Sequence, residues 1–144
     1  MVEEYIRDEM TYRLLDAAKY DYIVDAIDTL SPKAALIKGA LDRGIPIVSA
    51  MGSGAKTDPT RMEIADISQT HHCPLAHMLR KRLHKAGVRS GFKAVFSAEP
   101  IREGATILCE EQNKKSNTGT ISYLPALFGI GCASVVVRGV IGEL

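Results

Sequence analysis

The feature that most constrains this chain is a strand–helix–strand pattern near its start. Tyr22-Ile23-Val24-Asp25-Ala26-Ile27-Asp28 is a nearly continuous, β-branched apolar run, the pattern of a parallel strand covered on both faces. Ser31 followed by Pro32 predicts a helix start, N-cap and then first helical residue. Ala34, Ala35, Leu36, Ile37, Ala40 and Leu41 continue that helix, and Gly44 stands where a terminating glycine belongs. Ile45-Pro46-Ile47-Val48-Ser49-Ala50 supplies a second buried strand. Two parallel strands joined through a helix form a βαβ unit with a right-handed crossover. The chain is therefore α/β.

Around this unit the patterns change. Residues 3–18 predict a helix, with Tyr5, Ile6, Met10, Leu14 and Leu15 at helical spacing. Gly52-Ser53-Gly54 reads as a loop and Thr57-Asp58-Pro59-Thr60 as a turn. Met62-Glu63-Ile64-Ala65-Asp66-Ile67 alternates with period two, which predicts an antiparallel strand with one wet face. Pro74 opens a helix with Leu75, Met78, Leu79 and Leu83 on one face and His77, Arg80, Lys81, Arg82, His84 and Lys85 on the other. Phe92 to Ser97 reads as a strand, residues 99–120 as a long polar segment, and a last apolar helix starts near Pro125. A G-x-G-x-x-G turn after a first strand is absent, so the chain reads as one half of a doubly wound sheet with an antiparallel extension.

The chain has 144 residues, enough for one domain with a hydrophobic core, and its 46% apolar and 24% charged content is that of a globular protein. A net charge of +1 excludes a protein that coats nucleic acid by charge alone. The charge is nevertheless segregated. Residues 1–28 hold eight acids against three bases, whereas Arg80 to Lys93 holds six bases and no acid. Cys73, Cys109 and Cys132 are odd in number and form no C-x-x-C, so neither a disulfide framework nor a four-cysteine zinc site is expected. The acidic N-terminus lacks the apolar core of a signal peptide, and a cytoplasmic protein is expected. Ile121 to Val137 is a 17-residue uncharged run at the lower limit for a membrane span. Its Pro125, Gly129 and Gly131 favour a buried helix of a soluble fold.

Tyr20-Asp21-Tyr22-Ile23-Val24-Asp25-Ala26-Ile27-Asp28-Thr29, followed by Pro32-Lys33-Ala34-Ala35-Leu36-Ile37, resembles the second half of the ThiF/MoeB/HesA superfamily of ubiquitin-activating-type adenylating enzymes. Gly52-Ser53-Gly54 to Asp58-Pro59-Thr60, Val95-Phe96-Ser97-Ala98-Glu99, and the Gly119 to Gly131 stretch are similar to the branch that dehydrates threonylcarbamoyladenosine in tRNA. The resemblance implies a C-terminal half of a Rossmann-like sheet, residues 1–144 forming one partial domain without the glycine-rich ATP-binding half. It implies ATP and Mg²⁺ as cofactors, activation of a carboxylate as an acyl-adenylate, and cyclisation with loss of water. A chain lacking the triphosphate-binding groups is expected to catalyse little alone. Homodimerisation and a tRNA partner are also implied. Relatives in the superfamily adenylate the C-terminal glycine of a sulfur-carrier protein instead, and a non-catalytic dimerisation domain is a third reading. The zinc-binding cysteine pairs of the carrier-activating relatives are missing here, which favours the tRNA branch.

Individual residues can then be weighed. Asp28 falls at the carboxyl end of a buried strand, where doubly wound sheets bind ligands and where a carboxylate can hold Mg²⁺ against phosphate. It matches the second acid of the superfamily's D-x-x-D motif and is the expected catalytic residue. Asp25, the first acid, is either a nucleotide or metal ligand or a structural acceptor. Lys33 sits in a first helical turn, a poor place for a cation unless an anion is near. It either meets a phosphate or is solvated. His71-His72-Cys73 with His77 contains zinc-ligand types but no second spaced set. A surface loop without a structural metal is expected. Arg80, Lys81, Arg82, Lys85, Arg89 and Lys93 either contact tRNA phosphates or form the solvated face of a helix.

Overall fold

The computed structural model describes residues 8–100 and 120–144. Helix α1 spans Asp8–Asp16, strand β1 Ile23–Asp25, helix α2 Leu30–Asp42 and strand β2 Ile47–Ala50. Strand β3, Met62–Asp66, lies between two short 3₁₀ turns, Pro59–Arg61 and Ile67–Gln69. Helix α3 is Pro74–Lys85, strand β4 Lys93–Ser97 and helix α4 Tyr123–Val140. The polar segment expected over residues 99–120, and Cys109 within it, fall largely outside the described residues.

The strands form one sheet in the order β1-β2-β4-β3. β1, β2 and β4 run parallel, with Val24 beside Val48 and Ser49 beside Ala94. β3 closes one side antiparallel to β4, with Ile64 opposite Val95. Successive strand residues point to opposite faces, and the two cores follow that alternation. Ile47, Ala94 and Phe96 pack under α2 and α3 with Ile37, Leu79 and Leu83. Val48 and Val95 pack under α4 with Phe128, Cys132 and Val135. The result is helix–sheet–helix, the layering that parallel strands require.

Several local expectations need adjustment. The first strand ends at Asp25 rather than Asp28, because Ile27 N donates to Asp25 Oδ1 at 3.0 Å and turns the chain off the sheet. Helix α2 starts at Leu30 with Thr29 as its N-cap residue, without a side-chain cap bond. Pro32 is still tolerated, since it lies in the first turn, where no backbone N–H has an intrahelical partner. Gly44 does follow the helix, at φ +65°. Met78 is 43% exposed, and the buried face of α3 is instead Ala76, Leu79 and Leu83. β3 alternates less cleanly than its sequence, with Ile64 38% exposed, because it is a sheet edge.

Helix α4 is long and apolar enough to cross a membrane by length and composition alone. It is not buried all round. One face, Leu124, Phe128, Gly131, Cys132 and Val135, lies on the sheet, while Ile130 and Val137 are 66% and 57% exposed. Its close approach is set by Gly131, where a Cβ would stand 3.0 Å from Val95 Cγ1.

Candidate active site

The carboxyl ends of β1 and β2 open into a crevice of about 350 Å³. Asp28 stands on one wall, Met51, Gly52 and Ser53 on another, and Phe128 of α4 and Leu75 of α3 complete it. This is the rim where open parallel sheets bind ligands. The walls are mostly apolar, and Asp28 is the one charged residue among those that line the crevice. Its side chain is exposed, and among the described residues no protein group donates to its carboxylate. An uncommitted carboxylate on a crevice rim suits a hard cation, which takes oxygen ligands from one or two carboxylates and from substrate phosphates.

Asp25 and Lys33 are placed otherwise. Both are fully buried, and Lys33 Nζ lies 2.8 Å from Asp25 Oδ2. The parity of the strands explains this. Asp25 shares a face with Ile23, and Ser49 with Ile47, so both point at α2, from whose first turn Lys33 projects. Ser49 Oγ donates to Asp25 Oδ2 at 2.5 Å. Lys33 Nζ also donates to the carbonyls of Ile27, at 2.9 Å, and Ala50, at 2.7 Å. Three acceptors complete the ammonium's bonding. The anion near Lys33 is thus the protein's own, and neither Asp25 nor Lys33 lines the crevice as a ligand would. The pair instead ties the residue before Asp28 to the residue before Met51, joining two walls of the crevice from beneath.

A second buried group braces the rim. Lys56 is 2% exposed and its Nζ donates to the carbonyls of His72, at 2.8 Å, and Glu99. Burial pulls its ammonium below the usual lysine value, against the pull of nearby charges including Glu99. The Glu99 carboxylate accepts from Thr57 N at 2.7 Å, Asp58 N at 2.9 Å and Thr57 Oγ1 at 3.2 Å. The Asp58 amide, more than any other donor, holds its acid below the ordinary glutamate range. Tyr123 Oη donates to the Thr57 carbonyl at 2.6 Å. Sequence reasoning assigns Lys56, Thr57 and Tyr123 no role. They carry no periodicity, and their partners lie 16 to 66 positions away along the chain.

The histidine cluster does not converge: among the described residues no group of three metal-ligand types is present. The His71 ring packs edge-on against Phe96, with centroids 5.4 Å apart. Of the six basic candidates, Lys81, Arg82 and Lys85 share one groove. Arg80 is turned away to bond Thr70, and Lys93 stands at the amino end of β4. Arg89 lies in the turn between α3 and β4, outside that groove.

No protein-family model matches the chain. A tRNA threonylcarbamoyladenosine dehydratase of Bacillus subtilis is 46% identical over 144 residues, covering 94% of this chain and 57% of that protein. The chain is a homologue of the tRNA threonylcarbamoyladenosine dehydratases. The Escherichia coli dehydratase is 34% identical over 108 residues, 70% of this chain and 40% of its own length. Solved structures agree with this relationship. The E. coli dehydratase, TcdA, in complex with AMP superposes at a TM-score of 0.82 with 29% identity, over 99% of this chain and 56% of that one. Its complex with ATP gives 0.81 and 27% over the same shares. The chain spans just over half of these structures and of the B. subtilis relative. The four-stranded mixed sheet is thus part of a ThiF/MoeB-like, Rossmann-like fold.

Proposed function

We propose that this chain is part of an ATP-dependent enzyme that activates a carboxylate as an acyl-adenylate and cyclises threonylcarbamoyladenosine in tRNA with loss of water. The observation that carries this reading is Asp28. It is the uncommitted acid on the rim of the crevice, in a chain 46% identical to a dehydratase. In this reading Asp28 would hold Mg²⁺, which would supply charge neutralisation for the phosphates. The apolar walls, Phe128 and Leu75 among them, exclude water from an acyl-adenylate that hydrolysis would waste. Lys33 and Asp25 act from behind, holding the two strand ends at a fixed separation. Glycine-rich residues that cradle the triphosphate belong, in this reading, to the part of the relatives that the chain does not span. A substrate in tRNA is compatible, in this reading, with a cytoplasmic enzyme.

The test uses a chimera in which residues 1–144 replace the matching part of the B. subtilis relative. With tRNA bearing threonylcarbamoyladenosine, AMP release should depend on ATP and tRNA together. Asp28→Asn keeps the shape and removes the charge. At least a tenfold fall in rate is expected, about 1.4 kcal/mol of barrier, with an unchanged melting temperature. Full activity in Asp28→Asn would remove the assignment.

A further inference from the structure

The solvent face of α3 carries a feature that the crevice chemistry does not use. Met78, Lys81, Arg82 and Lys85 recur at i, i+3, i+4 and i+7, so they form one stripe. With Leu30 of α2 they line a groove of about 610 Å³ that holds three cations and no acid. None of the three is engaged in an ion pair or hydrogen bond among the described residues. Arg80, one position off the stripe, is different: its guanidinium donates to the Thr70 carbonyl at 2.7 Å and to the Thr70 hydroxyl. A helix C-terminus attracts cations through its own dipole, which accounts for a base in the last turn. It does not account for three on one stripe, nor for Met78 left 43% exposed among them. The groove is also near the crevice. Leu30 follows Asp28 by two residues, and Leu75, one turn before Met78, lines the crevice wall.

We propose that this groove holds the sugar–phosphate backbone of an RNA, Lys81, Arg82 and Lys85 meeting phosphates while Met78 offers an apolar surface to a base. The proposal rests on the tRNA reading above and specifies where that partner lies. Charge decides the class of occupant. Three unpaired cations with no acid suit a polyanion of regular spacing, and an apolar patch among them suits a nucleobase better than a bare acidic chain. Of the six bases between Arg80 and Lys93, the proposal uses the three that line the groove.

Binding of a fluorescein-labelled tRNA transcript to the chain itself, titrated at several potassium chloride concentrations, tests this. Each phosphate contact contributes about 0.7 to 0.9 to the slope of log affinity against log salt. Lys81→Gln/Arg82→Gln/Lys85→Gln should flatten the slope by about two to three units. Lys93→Gln, beside Asp66, should leave it unchanged. Met78→Ala should weaken binding several-fold without altering the slope. Circular dichroism and melting temperature confirm folding; should the triple variant fail to fold, the three single variants each carry a loss of about one unit. An unchanged slope in folded variants, a wild-type chain that binds no tRNA, or equal competition by polyglutamate would overturn the proposal. Failure of the chimera to release AMP, with the groove variants still losing tRNA, would instead overturn the adenylation reading and leave the groove standing.

Discussion

Lys33 has three bonds inside the protein, and that decides what its removal does. Its partner Asp25 is as deeply buried as Lys33 itself. Lys33→Met would leave that carboxylate with the Ser49 hydroxyl and the Ile27 amide alone. Breaking one partner of a buried pair costs about 3 to 5 kcal/mol. Denaturant unfolding should show a loss of that order, and Asp25→Leu/Lys33→Met should recover a large part of it. A single variant as stable as wild type would mean that the pair does not hold the strand ends. The sequence shows half of this. A cation in a first helical turn signals a nearby anion, but whether the anion is a ligand or Asp25 depends on strand parity, which is visible only once β1 and β2 are in register.

Glu99 makes a pH-dependent contribution whose sign follows from its partners. Its acid is held below the ordinary value, about 4.3, chiefly by the Asp58 amide. The folded state therefore binds its proton less readily than the unfolded chain. The stabilisation is fully present above the ordinary value and is lost as pH falls through the lowered one. Chemical unfolding between pH 3 and 7 should show wild type losing stability on the acid side. Glu99→Gln should be less stable at pH 7 and lose less on acidification. Parallel curves for the two proteins would show that the carboxylate is not the group responsible.

At the scale of elements, α4 is where sequence and structure part most. An apolar run of this length reads as a helix buried on every side, yet it is covered on one face only. The sequence cannot separate the two because both faces are apolar: Phe128 and Val135 meet the sheet while Ile130 and Val137 meet solvent. Hiding each such side chain is worth about 1.5 to 3 kcal/mol. The homodimer that the family resemblance implies would cover this face with a second copy. In that case the wild-type chain should sediment as a dimer and Ile130→Lys/Val137→Lys as a monomer, without loss of the packing made by Leu124 and Phe128. A wild-type chain monomeric at all concentrations would show that a different surface covers α4. The βαβ unit, by contrast, is legible because β-branched strands, Pro32 and Gly44 all signal the same elements.

For the molecule as a whole, the sheet has unequal sides. β3, running antiparallel, finishes one of them, while among the described residues β1 has no neighbour on its outer side. The α/β class and the carboxyl-end location of Asp28 follow from the order of elements, and are therefore legible in the sequence. The braces beneath the rim are not, since Lys56 and Glu99 meet only after β4 has been placed beside β2.

Thr57 is a common fastening. Its amide is held by Glu99 and its carbonyl by Tyr123, so a residue just after β4 and the first residue of α4 are tied to one backbone position. A shift of Thr57 is therefore felt at the end of the sheet and at the start of the helix that covers it, together.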